Sequence, residues 1–92
     1  MKIKRIDFSI QFLKQHKKAP IKIKEAWIRR LETFNKDPLN PQLKNHSLKG
    51  RLLGYRSINI TGDWRAIYME YEGKESTIIV FELLGTHNQL YR

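Results

Sequence analysis

The sequence predicts an α+β fold of order β-α-α-β-β-β, a small sheet with an antiparallel meander and a helical hairpin packed on one of its faces. Three observations carry that expectation. Between Ile21 and Asn35 the apolar residues recur at helical spacing, and from Tyr55 onward they alternate or form β-branched runs. All three prolines and all five glycines fall between these segments or at their ends. At 92 residues, with 40% hydrophobic and 29% charged residues, the chain suits a single domain over 1–92.

The elements follow in order. Lys2 to Asp7 sets Ile3 and Ile6 among charges, which reads as a short strand near a sheet edge. Asp7 or Ser9 caps a short amphipathic helix with Phe8, Ile10, Phe12 and Leu13 on one side and Lys14, Lys17 and Lys18 opposite. Pro20 ends it and opens a second helix. There Ile23, Ala26, Trp27, Leu31 and Phe34 form one face, and Lys22, Lys24, Arg29, Arg30 and Glu32 fill the other. Two prolines within Asn35 to Pro41 start a loop to about Gly50, which carries Lys44, His46 and Lys49.

Tyr55 to Ile60 alternates, with Ile58 and Ile60 on one face and Tyr55, Ser57 and Asn59 on the other. Thr61-Gly62-Asp63 supplies a turn, Trp64 to Tyr71 a second strand, Glu72 to Glu75 another turn, and Ser76 to Leu83 a third strand. Gly85 to Arg92 is a tail whose apolar members tuck it back. The sheet face away from the helices is then open. His46, Asn59, Asp63 and His87 come from loops and strand ends that register could bring together there.

Composition narrows the function. Without Cys there is no disulfide and no thiolate metal site. The longest apolar run is Ile78 to Phe81, far short of a membrane span of about 20 residues, and early charges break up any signal-peptide core. A cytoplasmic protein without membrane contact is expected. The net charge is +9, but Met1 to Arg51 holds 14 basic and 4 acidic residues whereas Leu52 to Arg92 holds 4 and 5. So lopsided a field suits a polyanion, nucleic acid or an acidic protein. No Gly-rich phosphate loop occurs, and His46, Asp63 and His87 lack the close i, i+4 pairing of a metal site. Neither cofactor nor metal is expected.

The blocks His46-Ser47-Leu48-Lys49-Gly50, Gly54-Tyr55-Arg56, Gly62-Asp63-Trp64-Arg65-Ala66-Ile67-Tyr68 and Gly85-Thr86-His87, then Leu90-Tyr91, resemble the RelE/ParE toxin superfamily. Its YafQ-like branch is the most similar. The likeness spans the chain in element order and Asn45 to Arg92 in motif detail. It implies the toxin of a type II toxin–antitoxin system, held inactive by a cognate antitoxin that is acidic where it contacts the toxin. RelE-like and YafQ-like toxins cut mRNA in the ribosomal A site without a metal, whereas ParE-like members poison DNA gyrase. The resemblance therefore also admits a gyrase poison, or a degenerate member that only binds antitoxin and nucleic acid.

Carried onto this chain, the YafQ-like pattern implies His46, Asp63 and His87 as functional residues and Tyr91 as the terminal aromatic. RNA cleavage through the ribose 2′-OH needs a base, an acid and cationic donors at phosphorus. His87 suits the acid, Asp63 a base or a group orienting a histidine, and His46 proton transfer or phosphate contact. Two positions depart from the pattern: Asn59 stands where a further His is expected, and Leu83 where an Arg is expected. Arg65, placed as in RelE-like members, can supply the missing cation, or else form a cross-strand pair with Glu82. Tyr91 can stack on a base or pack the tail. Asn59, Lys44 and Lys49 complete the substrate-binding set. Trp27 and Trp64 read as core, and His16 as a solvated helix residue.

Overall fold

The computed structural model describes residues 2–91. Strand β1 (Ile3–Phe8) leads into helix α1 (Ile10–Lys18) and helix α2 (Ile21–Lys36). A 3-10 turn at Pro41–Leu43 precedes a two-residue strand β2 (His46–Ser47), and a second such turn spans Gly50–Leu52. Strands β3 (Arg56–Asn59), β4 (Trp64–Glu72) and β5 (Thr77–Thr86) follow, and the one-turn helix α3 (His87–Leu90) closes the chain.

Local chemistry fixes these boundaries. Ser9, not Asp7, caps α1: its hydroxyl accepts from the Phe12 amide at 3.0 Å and donates to the Glu82 carbonyl at 2.9 Å, tying the cap to β5. Asp7 instead pairs with Arg5 at 3.0 Å on the exposed edge. Pro20 forbids continuation of α1, and Lys24 reaches back from α2 to cap the Lys17 carbonyl at 3.0 Å.

The sheet order is β1-β5-β4-β3-β2, with β1 parallel to β5 and the other pairs antiparallel. The charged β1 lies at one edge, as its composition predicts. The structure adds to the six-element order at two places. Within the segment read as loop, His46 and Ser47 pair with Ser57 and Arg56 as β2, too short to show any alternation. At the other end β5 runs past Leu83 to Thr86, pairing Leu84, Gly85 and Thr86 with Ala66, Arg65 and Trp64, and the tail is helical.

A bulge makes this possible. Ile67 pairs with Leu83 but Tyr68 with Phe81, so Glu82 is the extra residue. Thr77, Ile79 and Phe81 face the helices, and after the bulge Leu84 takes over that face while Leu83 turns to the other. The core is aromatic and centred on Phe81, whose ring lies 4.9 Å from Trp27, 5.2 Å from Tyr68, 5.4 Å from Phe34 and 5.9 Å from Phe12.

The face away from the helices is open only in part. Ser57 and Ile67, paired there, are fully buried, and α3 packs against β5. Among the described residues no helix is long and apolar enough to cross a membrane.

Candidate active site

The loop before β2 is pinned by one side chain that uses its full bonding capacity. Asn45 donates through Nδ2 to the Pro38 carbonyl at 2.9 Å and the Tyr68 hydroxyl at 2.7 Å, and its Oδ1 accepts from Arg56 Nε at 2.8 Å. Tyr68 is itself buried, and burial raises its pKa above the ordinary phenol value, the Asn45 hydrogen bond opposing that shift. With Leu43 also buried, the segment has little freedom. Lys44 sits between these two anchors in the left-handed region, at φ 48°, a conformation that costs a non-glycine residue about 1 kcal/mol or more. That turn aims the Lys44 carbonyl at His46 Nδ1, 2.9 Å away. A carbonyl only accepts, so Nδ1 carries the proton and Nε2 is the lone-pair nitrogen of the neutral ring.

The turn between β3 and β4 is held by Arg65. Its Nη1 donates to the carbonyls of Thr61, Gly62 and Trp64 at 3.2, 3.0 and 3.2 Å, and the residue lies in register with Asn59 and Gly85. No pair with Glu82 forms. Beside it, the Thr86 hydroxyl accepts from the Gln89 amide while the Gln89 side chain accepts from the Thr86 amide, a reciprocal cap that starts α3. His87 is its first residue, and its amide donates to the Asp63 carbonyl at 3.0 Å. Gly85 makes room for the turn: a Cβ there would stand 2.9 Å from Gln89 Oε1 and 3.2 Å from Leu90 Cδ2. One helical turn on, Tyr91 places its ring 4.6 Å from that of His87.

These elements wall an open cleft of about 470 Å³. Lys44 and His46 line it from the β2 side, Asn59 and Arg65 from β3 and β4, His87 and Tyr91 from the carboxyl end, with Leu48 between. Six of the eight residues singled out in the sequence are thus brought together. Asp63 and Lys49 are not. Asp63 serves through its backbone carbonyl and its side chain is exposed outside the cleft, a placement that spacing next to Trp64 does not reveal. Lys49 lines a neighbouring groove with Arg51, a cation the sequence reading passed over. Asn45 was also missed, because a positioning amide looks like any loop asparagine. Two cations, two imidazoles and an amide line the cleft with no carboxylate among them, so it can hold an anion and move protons beside it. Among the described residues no three His, Cys, Asp or Glu side chains cluster as a metal site would require.

The family model described as the bacterial toxin of type II toxin–antitoxin systems, YafQ, matches residues 4–92. YafQ from E. coli strain BL21(DE3) is 27% identical, with 95% of this chain and 97% of that one covered at a TM-score of 0.65. The E. coli DinJ–YafQ toxin–antitoxin complex matches at 27% identity over 100% of both chains, with a TM-score of 0.64. A YoeB/ParE toxin from Agrobacterium tumefaciens superposes with a TM-score of 0.71 over 95% of this chain and 99% of that one, but at 18% identity it speaks for the fold alone. No curated protein sequence matches the chain. With a family model matched almost from end to end, the chain belongs to the YafQ family of type II toxin–antitoxin toxins.

Proposed function

We propose that this toxin is a metal-independent endoribonuclease that cuts mRNA on the ribosome in the cytoplasm and so arrests translation. The observation that carries the reading is the convergence of His46, Arg65 and His87, with Lys44, on one open cleft. His46 Nε2, left as the lone-pair nitrogen by the Lys44 carbonyl, takes the proton from a ribose 2′-OH. The 2′ oxygen attacks the adjacent phosphorus, and the bond to the 5′ oxygen breaks. Protonated His87 gives its proton to that leaving oxygen, so a 2′,3′-cyclic phosphate and a 5′-OH result. Arg65 and Lys44 stabilise the charge on the phosphoryl oxygens. Asn59 orients a phosphate or ribose oxygen without transferring a proton, and Tyr91 stacks on a base. Asp63 is a positioning residue in this scheme, acting through the carbonyl that holds His87.

The partner that silences the toxin is a cognate antitoxin. YafQ of E. coli is seen in complex with DinJ. Here the outer helix faces leave Ile10, Leu13, Ile21 and Ile28 exposed by 73%, 54%, 72% and 57% amid lysines, which suits a segment with both apolar and acidic residues.

The test is primer extension on mRNA in a purified translation system, with ribosomes present or omitted. Codon-specific cuts are expected only with ribosomes, and His46→Ala or His87→Ala should each slow cleavage at least a hundredfold while leaving antitoxin binding intact. A second reading rests on Asn59 and Leu83, which replace a His and an Arg of the YafQ-like pattern and favour a gyrase poison. Absence of cuts together with inhibited supercoiling would establish that reading instead.

A further inference from the structure

The turn between β3 and β4 offers four carbonyls in a row, and each is met by a donor from outside the turn. Those of Thr61 and Gly62 accept from Arg65 at 3.2 and 3.0 Å, and that of Asp63 accepts from the His87 amide at 3.0 Å. The remaining one, that of Ile60, is met from the helix side. Arg30 of α2 donates to it through Nε at 3.2 Å, and its Nη1 stands 3.4 Å from Gln42 Oε1 on the 3-10 turn before β2. No carboxylate pairs with Arg30 among the described residues, so its fixed fork of donors is directed at neutral oxygens. Arg30 is not among the residues that line the cleft. With Thr61 it lines a separate hollow of about 530 Å³. The tip of the turn has little packing of its own: Gly62 and Asp63 are exposed, and nothing lies within 4 Å of where a Gly62 Cβ would stand. Its position therefore depends on these hydrogen bonds.

We propose that Arg30 is a positioning residue for the cleavage step: by holding the Ile60 carbonyl it fixes, from behind the sheet, the turn that orients the Arg65 guanidinium and His87. The catalytic consequence rests on the ribonuclease reading. Arg65 is bonded to the carbonyls of this turn, and the start of α3 hangs on the next one, so a turn that swings carries the cation and the acid with it. Asn59, the residue before Ile60 and in register with Arg65, moves on the same hinge. A displacement of about 1 Å at such groups lowers a rate by up to about a hundredfold. Because Arg30 touches neither RNA nor the reacting atoms, its loss should lower kcat and leave KM for ribosome-bound mRNA unchanged.

The test compares Arg30→Met with Arg29→Met. Both remove one positive charge from the same hollow, but Arg29 gives no side-chain donor to the turn and engages Thr33 only through its backbone carbonyl. Arg30→Met should lower kcat at least tenfold at constant KM, whereas Arg29→Met should leave kcat unchanged. Hydrogen exchange in the free toxin supplies a second readout that needs no activity. In Arg30→Met the His87 amide should exchange at least tenfold faster, while the Ser9 and Thr77 amides, bonded to Phe81 and Lys2 at the far side of the sheet, keep their rates. Arg30→Lys keeps the charge and one donor, which protects the fold if methionine does not, and should fall between the two in both readouts. Equal losses of kcat in Arg29→Met and Arg30→Met would reduce Arg30 to a general charge and overturn the proposal. Faster exchange at His87, Ser9 and Thr77 alike would reduce it to overall stability and overturn the proposal as well. If the unsubstituted protein makes no cuts, the nuclease reading fails, and the exchange of His87 alone decides whether Arg30 holds the turn.

Discussion

Single atoms decide what the cleft can do. The Lys44 carbonyl fixes the His46 tautomer, and Asn45 in turn fixes the loop that carries Lys44. Removing Asn45 leaves the buried Tyr68 hydroxyl and Arg56 Nε unpaired, so Asn45→Ala should cost about 1–3 kcal/mol in urea unfolding. The pH dependence of the same network has a definite sign. Burial holds the Tyr68 pKa above its ordinary 10.0, so the folded protein retains this proton where the unfolded chain has lost it. The stability this contributes is complete below pH 10 and is lost as pH rises through the folded value. Tyr68→Phe should therefore flatten the decline in unfolding midpoint above pH 10, and a decline equal to that of the unsubstituted protein would refute the assignment. None of this is legible in the sequence. A histidine and two lysines in a basic loop suggest anion binding, but the tautomer follows from a carbonyl direction set by a left-handed lysine.

At the scale of elements, legibility tracked the length of the pattern. Helix α2 offers sixteen residues of helical period and shows itself, whereas β2 offers two residues and does not. The bulge at Glu82 explains why Leu83 ends the readable alternation of β5: the core side shifts by one position and the strand continues unseen. That hidden extension carries Gly85 to the place where α3 folds over it, and so aims His87. In Gly85→Ala the new Cβ would press on Gln89 Oε1, the atom that accepts from the Thr86 amide, and on Leu90. We expect a stability loss of about 1 kcal/mol from the weakened cap, with cleavage falling at least tenfold because His87 moves. Gly62→Ala is the matched control, since nothing lies within 4 Å of its added Cβ. Equal activity of the two variants would show that α3 does not position the acid.

For the whole molecule, the sheet order joins the two ends of the chain. Strand β1 pairs with β5 across most of the sequence, and Phe81 gathers rings from both helices, from β1 and from β4 into one core. The apolar stripe of α2 announces Trp27 as core, but its partner is a matter of topology that periodicity does not contain. Such a core should fail as a unit. Opening it with Trp27→Ala or Phe81→Ala should each cost about 3–5 kcal/mol, against a typical domain stability of about 5–15 kcal/mol. The rings meet edge to face at 4.9 Å, so the two losses are not independent. A double-mutant cycle with Trp27→Leu and Phe81→Leu, mild enough to keep the fold, should return a coupling of about 0.5–1.5 kcal/mol. Because the cleft is assembled from β2 through α3 on this same sheet, both single variants should lose activity only in proportion to the fraction unfolded. Full loss of cleavage in a variant that is still folded by circular dichroism would place the core in direct contact with the chemistry, contrary to its position on the helix side of the sheet.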